Sequence, residues 1–130
     1  LTYVAKKFTG QLTSDSFDQL DISDIAGTDA AGRFWIFYQD PTTPSQTNFA
    51  LYGSWTNNTS APRSMYLPAN TGGNNVTAQV TRIDLDGTNG TSGDVNISVG
   101  STDNQEFRIN NRIAETIDYV VEVEVLDGAA

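Results

Sequence analysis

Residues 117–125 read Ile-Asp-Tyr-Val-Val-Glu-Val-Glu-Val, and this stretch is the strongest indication of the fold class. Every odd position in it is apolar, and positions 118, 122 and 124 carry carboxylates. Because successive side chains of a β-strand point to opposite faces of a sheet, this period of two predicts a strand with one buried and one hydrated face. β-Branched residues dominate the stretch, as is typical of a half-buried pleated surface.

Working outward, similar short runs predict further strands at residues 2–8, 33–39, 49–55, 64–67, 76–85, 95–99 and 106–109. Residues 34–38 are continuously apolar, which predicts a central strand covered on both faces. Residues 15–25 fit a helical turn or a strand equally well. The Asp-Gly turn signal at 86–87 joins two alternating runs, so residues 76–99 are predicted to form one long β-hairpin.

These strands, separated by turns rich in Gly, Asn, Asp and Pro, predict an all-β fold. Their number and spacing favour a single β-sandwich or jelly roll of about eight or nine mostly antiparallel strands. A chain of 130 residues suits one such domain spanning residues 1–130. No linker or internal repeat divides it.

The charge balance excludes two classes of partner. With 16 acidic against 7 basic residues, the formal net charge is −9. Such a surface repels phosphate backbones, so we expect no nucleic-acid binding. The apolar runs are far shorter than the roughly 20 residues that a membrane helix needs, so we expect no membrane insertion.

Histidine and cysteine are both absent, and this removes most catalytic constellations. A Ser-His-Asp relay and an imidazole base require histidine, and zinc, haem and iron–sulfur sites are in most proteins held by one or both of these residues. The sequence therefore predicts a protein that is not an enzyme and assigns it no cofactor. Carboxylate chemistry remains: Asp18, Asp21 and Asp24 form the densest acidic cluster, which fits a glycosidase pair or, more simply, a solvated strand edge.

Calcium prefers oxygen ligands at alternating positions of a loop. The segment that contains Asp84 and Asp86, with Asp94 close behind, resembles a calcium loop in composition. The pattern departs from the EF-hand, because Asn89 stands where that loop requires glycine and no glutamate closes it. If calcium binds, we expect Asp84, Asp86 and Asp94 to be its ligands. The alternative is a turn that uses Asp-Gly and Asn-Gly for their tolerance of positive φ.

The candidates for a carbohydrate platform are the aromatic side chains of Trp35, Tyr38, Tyr52, Trp55 and Tyr66, and the preferred pair is Trp55 with Tyr52. Trp55 ends a strand beside polar residues, so we expect it to be exposed. Most aromatic residues lie within apolar runs, which favours core packing. An exposed aromatic cluster on one face would favour sugar binding, whereas a fully buried set would favour assembly.

Asparagine in the Asn-x-Ser/Thr pattern is a further candidate for modification, because this pattern is the acceptor for N-linked glycans. It occurs at Asn57, Asn58, Asn75, Asn89 and Asn96. Asn75 and Asn89 lie in predicted loops, as a surface glycan requires.

Taken together, these features favour a structural or assembly protein. We expect a virion decoration or capsid-associated protein, or a subunit of an extracellular filament, located on a virion surface or outside the cell. Its expected partners are other protein subunits, in a homo-oligomer or larger assembly. Residues 1–8 and 117–126 are each a candidate for a sheet edge that adds to a neighbouring subunit's sheet, and pairing within their own domain is the favoured alternative. The alternatives are a carbohydrate-binding or adhesion module and a small carboxylate hydrolase.

The first residue is Leu1 and not methionine. Removal of a leader or propeptide would suit a secreted or assembled protein, and the choice of numbering would explain the start equally well.

Overall fold

A computed structural model describes residues 4–40, 49–60, 64–66 and 76–127. In these ranges the chain forms nine strands and no helix. The strands are β1 Val4–Leu12, β2 Ser16–Asp21, β3 Ala31–Gln39, β4 Phe49–Thr56, β5 Met65–Tyr66, β6 Val76–Ala78, β7 Val95–Val99, β8 Glu106–Asn111 and β9 Ile117–Asp127. The prediction of an all-β fold is confirmed. Among the described residues, no helix is long and apolar enough to cross a bilayer.

The strands form two sheets that pack face to face as a β-sandwich. The five-stranded sheet has the order β1-β9-β3-β4-β5, and the four-stranded sheet has the order β2-β8-β7-β6. Every neighbouring pair is antiparallel except β6 and β7, which run parallel. The expected architecture of eight or nine mostly antiparallel strands is therefore confirmed.

The core lies between the sheets and is built from alternate residues of each strand. On β9, Val121, Val123 and Val125 are buried, as the period of two predicts. Phe107 of β8 faces them from the other sheet, and its ring meets those of Phe34 and Trp55 edge-on at centroid distances of 6.3 and 5.1 Å. These aromatic contacts join the two sheets near the middle of the sandwich.

β3 is central in its sheet, but the prediction that it is covered on both faces is wrong. Phe34, Ile36 and Tyr38 are buried, whereas Trp35 is 48% and Phe37 is 39% exposed. The strand pairs with β9 and β4 on its two edges, and only one of its faces meets the core. A continuously apolar run of residues therefore forms a strand here that is buried on one face only.

The predicted hairpin over residues 76–99 is also wrong. Because β6 and β7 run parallel, the chain between them must cross over instead of folding straight back. Residues 79–94 make this crossover along the outer side of the four-stranded sheet. There the Ser98 hydroxyl donates to the Ile83 carbonyl (2.8 Å), and Arg108 donates to the Leu85 carbonyl (3.2 Å). Leu85, which belongs to this segment, is fully buried.

The predicted turns are present in this stretch, but they lie within the crossover and do not join two strands of a hairpin. Gly87 and Gly90 have φ values of 88° and 80°, a region that favours glycine. The Asn89 amide donates to the Asp84 carbonyl (2.9 Å), which closes the loop on itself. The local sequence therefore predicts the turns correctly, but it predicts the wrong pairing of the strands.

The two terminal strands have different positions. In the described part of the chain, β1 pairs with β9 alone and so lies at a sheet edge, as one interpretation of residues 1–8 predicts; residues 1–3 lie outside the described residues. β9 lies between β1 and β3, so residues 117–126 pair within the domain, which is the favoured of the two interpretations, and do not lie at a sheet edge. Residues 16–21 form the strand β2, and a turn follows in which the N–H of Ala26 donates to the Ile22 carbonyl (2.9 Å), so each interpretation of residues 15–25 holds for part of the segment.

Candidate interaction face

The outer face of the five-stranded sheet is made by the side chains of β1, β9, β3 and β4 that point away from the core. Strand register places Lys7, Glu122, Trp35 and Tyr52 in one row across it. The next row contains Thr9, Val120 and Phe37. We call this surface the outer face.

The most prominent feature of the outer face is a stacked aromatic pair. The ring centroids of Trp35 and Tyr52 are 4.9 Å apart, and their planes are inclined by 33°. The two residues are 48% and 46% exposed, and Phe37, two positions along β3, is 39% exposed. Large apolar side chains grouped on one surface are characteristic of interaction sites.

The charges of the outer face are close to balanced. The Arg33 guanidinium contacts the Glu124 carboxylate, with Nε 2.9 Å from Oε2. Lys7 lies across from Glu122 in the strand register, and the Gln11 amide donates to Asp118 (2.9 Å). On a chain with a net charge of −9, this part of the surface opposes the approach of a second acidic protein less than most others.

A shallow depression lies at one end of the outer face. It is lined by Phe37, Gln39, Asp118, Tyr119 and Val120, and its volume is about 110 Å³. Pockets for small molecules usually measure about 300–1,000 Å³. The depression is therefore better suited to one inserted side chain than to an enclosed ligand.

The covering of the two sheets differs. The crossover segment lies along the outer side of the four-stranded sheet, where Arg108 and Asn110 donate to its carbonyls. On the five-stranded sheet, Trp35, Phe37 and Tyr52 remain accessible to solvent. The outer face is therefore the better candidate for contact with another molecule.

Trp55, predicted to be an exposed sugar-stacking residue, is 3% exposed, so that prediction is wrong. Its indole N–H donates to the carbonyls of Arg33 and Glu124, both at 3.2 Å. The register of β3 and β9 shifts between Ala31 and Gly32, directly beside these carbonyls. Trp55 is buried because alternation along β4 places it on the same inward side as Leu51 and Gly53, and its indole N–H satisfies two backbone acceptors there.

The structure separates the two residues of the predicted platform. Tyr52 is exposed as a sugar contact requires, but it stacks on Trp35 and not on Trp55. In the sequence, Trp35 is one aromatic candidate among several, and Phe37 is predicted to be buried. Because residues 34–38 are all apolar, their sequence does not show which of them face away from the core.

The three predicted calcium ligands each accept hydrogen bonds from a different part of the chain. Asp84 accepts from the backbone N–H of Ser101 (2.7 Å) and Asp86 from that of Thr88 (2.9 Å). Asp94 accepts from the hydroxyl of Thr77 at 2.5 Å. Within the described ranges, no group of three or more acidic side chains could hold a metal ion. Calcium binding stays a prediction that this arrangement does not favour.

These hydrogen bonds affect titration. The Thr102 hydroxyl, followed by the backbone N–H groups of Ser101 and Thr102, holds the pKa of Asp84 below its ordinary value of 3.8, and burial opposes this shift. Thr88 lowers the pKa of Asp86 in the same way. Both carboxylates are therefore stabilised as anions by turn contacts, which is a structural role.

The acidic cluster on β2 and the following loop is dispersed. Asp18 accepts from the Tyr119 hydroxyl (2.7 Å), and Asp24 contacts the Lys6 ammonium (2.9 Å). Asp21 accepts from the backbone N–H of Ser23 (2.8 Å), and the Ser23 side chain, followed by this N–H, lowers the pKa of Asp21. Three carboxylates with three separate partners fit the expected strand edge better than a catalytic pair.

Two of the glycosylation motifs have a structural use. Asn57 and Asn96 are fully buried. The Asn57 side chain accepts from the N–H of Ala30 (2.7 Å) and donates to the carbonyl of Gly27 (2.7 Å). Such groups are inaccessible to a glycan in the folded chain, and Asn75 lies outside the described residues.

No family model, curated protein or solved structure matches this chain. The residues and their geometry are therefore the basis for assigning a function. The outer face, with its stacked pair and balanced charges, is the feature of the described residues that points to one.

Proposed function

We propose that this chain is a non-enzymatic assembly domain and that copies of it contact one another through the outer face. A virion decoration or capsid-associated protein, or a subunit of an extracellular filament, would use a domain of this kind. The observation that carries the proposal is the half-exposed Trp35–Tyr52 stack on a sheet that the described chain leaves uncovered.

The composition of the outer face supports protein contact. Trp, Tyr and Arg are the residues most enriched among those that dominate binding energy, and the outer face holds Trp35, Tyr52 and Arg33 together. The stacked pair is already ordered by its own contact, so little side-chain freedom is lost when a partner covers it. The depression beside Phe37 offers room for one side chain of the second copy.

The charge pattern supports contact between copies of the same chain. Two surfaces that both carry unbalanced acid would repel each other on approach. On the outer face, Arg33 and Glu124 neutralise each other, and Lys7 lies opposite Glu122. A second copy can therefore approach here at a smaller electrostatic cost than over the acidic remainder of the surface.

The test is the concentration dependence of molar mass, measured by light scattering on the purified chain. We expect the wild type to form dimers or larger species, and we expect Trp35→Ala combined with Tyr52→Ala to weaken association by at least tenfold. Val80→Ala is the matched control, because Val80 is also 48% exposed but lies in the crossover. Equal association by the wild type and the double variant would contradict the proposal.

A carbohydrate-binding or adhesion module is the second candidate, and the exposure of Tyr52 and Trp35 is what favours it. Their geometry favours it less, since rings with centroids 4.9 Å apart overlap and each offers only one free side to a sugar. Affinity electrophoresis against a panel of soluble polysaccharides separates the candidates. Retardation of the wild type that Trp35→Ala abolishes would support sugar binding.

A further inference from the structure

Each sheet has one long edge without a strand partner among the described residues. β1, with nine residues, pairs only with β9, and β2, with six residues, pairs only with β8. The opposite edges are formed by β5 and β6, with two and three residues. A long open edge presents a row of backbone donors and acceptors to which another strand can add.

The two long edges lie on the same side of the sandwich. β1 and β2 follow each other along the chain through residues 13–15. The Lys6 ammonium donates to the Asp21 carbonyl (2.8 Å) and contacts Asp24 (2.9 Å). The end of β1 adjoins the start of β2, and Lys6, near the start of β1, contacts residues at and beyond the end of β2. The two strands therefore run antiparallel to each other, one in each sheet.

The inward side of β1 is incompletely covered. Val4 and Phe8 pack against the core but are only partly buried. Their neighbours on β9, Val121 and Val125, are at most 1% exposed because strands flank β9 on both sides. One more strand beside β1 would complete the burial of Val4 and Phe8.

The two edges carry opposite charges. β1 contains Lys6 and Lys7 and no acid, whereas β2 contains Asp18 and Asp21 and no base. Opposite charges on neighbouring strands stabilise pairing, and like charges directly opposite destabilise it. Each edge therefore complements the other edge of a second copy better than it complements itself.

We propose that two copies of this chain associate edge to edge, with β1 of each copy pairing antiparallel with β2 of the other. A two-fold axis parallel to the strands produces this arrangement, because it exchanges the two sheets and keeps the strand direction. Two continuous sheets result, each with five strands from one copy and four from the other. The interface is closed, and both long edges are covered at once.

The competing arrangement has its two-fold axis perpendicular to the sheets. It pairs β1 with β1 and β2 with β2, which brings Lys6 and Lys7 beside their own copies and does the same for Asp18 and Asp21. Charge complementarity therefore favours the exchanged arrangement over this one.

The edge dimer is independent of the outer face, but the two combine if the proposed function holds. Because the axis exchanges the sheets, the dimer carries one outer face on each side. Contacts between outer faces would then join dimers into an open chain, as a filament or surface layer requires. Only this consequence rests on the proposed function.

Cysteine trapping tests the strand pairing directly, because the chain contains no cysteine. Thr9→Cys is mixed in turn with Phe17→Cys, Gln19→Cys and Asp21→Cys under mild oxidation, and the products are identified by mass spectrometry. We expect at least one mixture to give mainly the mixed disulfide. A predominance of Thr9→Cys homodimer would overturn the proposal, as would trapping no greater than that of the exposed control Ser92→Cys.

The two proposals fail separately. Combining Trp35→Ala and Tyr52→Ala with the cysteine variants should leave the mixed disulfide unchanged, since neither side chain belongs to β1 or β2. Loss of trapping in this background would overturn the edge dimer as an independent contact. Trapping that persists while large species disappear would support both proposals.

Discussion

The Tyr119 hydroxyl donates a hydrogen bond to the Asp18 carboxylate at 2.7 Å and thereby joins the two sheets. Tyr119 belongs to β9 of the five-stranded sheet, and Asp18 belongs to β2 of the four-stranded sheet. Burial, and then the neighbouring carboxylate, raises the pKa of Tyr119 well above its ordinary value of 10.0. The contact ties the edge strand β2 to the strand that organises the larger sheet.

Tyr119→Phe removes this link, and we expect it to lower the free energy of unfolding by about 1–2 kcal/mol at neutral pH, as for a hydrogen bond to a charged group. Because the folded-state pKa lies above the unfolded value, the contribution of Tyr119 is complete below pH 10 and is lost as pH rises further. Urea denaturation between about pH 8 and 11 measures both effects. A wild type that loses no more stability than Tyr119→Phe above pH 10 would contradict this account.

Asn57→Ala should be strongly destabilising. The fully buried side chain bonds to Ala30 and Gly27, and it also donates to the Asn104 carbonyl at 3.0 Å. Removing it leaves buried groups without partners, at a cost of about 3 kcal/mol in the free energy of unfolding. Asn58→Ala, measured by the same urea titration, is the control with an expected cost below about 1 kcal/mol. Similar midpoints for the two variants would show that the Asn57 contacts contribute little.

The two tryptophans should respond differently to replacement by phenylalanine. Trp55→Phe removes the donor to two inward carbonyls and leaves unfilled volume, so we expect a loss of about 2–3 kcal/mol in stability. Trp35→Phe on the outer face should change stability by less than about 0.5 kcal/mol. Chemical denaturation measures the stability of both variants, and equal losses of stability would contradict the structural role assigned to Trp55.

Acid should weaken the fold partly through Asp84. Its folded-state pKa lies below 3.8, so its contribution is present above that pH and is lost as pH falls through the folded value. We expect Asp84→Asn to show a smaller decline in unfolding free energy between about pH 5 and 2.5 than the wild type. Asp29→Asn, an exposed carboxylate before β3, controls for the change in net charge. A steeper decline in Asp84→Asn would contradict the assignment.

Calcium should not stabilise the folded chain appreciably. Asp84, Asp86 and Asp94 accept hydrogen bonds from separate donors, and the Arg108 guanidinium lies 3.9 Å from Asp84. Thermal unfolding in millimolar calcium, compared with a chelator, is the measurement. A rise in midpoint of several degrees that Asp86→Asn removes would restore the predicted site.

Several features could be predicted because they depend on local pattern. The period of two over residues 117–125 reports which residues of β9 are buried, since alternation is a property of any extended strand. The turn at Gly87 and Gly90 could be predicted because positive φ favours glycine wherever the turn lies. The absence of histidine and cysteine limits the chemistry of the chain in any fold.

Other features depend on partners distant in the chain. The same turn signals fit a hairpin or a crossover, and only the parallel pairing of β6 with β7 distinguishes the two. Trp55 is buried on the same inward side of β4 as Leu51, and the two carbonyls that its indole reaches belong to β3 and β9, which are distant in the chain.

The sequence by itself determined the fold class, the identity of most strands and the acidic, cysteine-free character of the chain. These follow from residue types and their spacing, which act over a few positions. Only the tertiary structure decided that Trp35 and Tyr52 stack on an open face while Trp55 is enclosed. It also placed the basic edge β1 and the acidic edge β2 on one side of the molecule. The exposure of a side chain depends on which sheet covers it, and that choice is made by the packing of the whole chain.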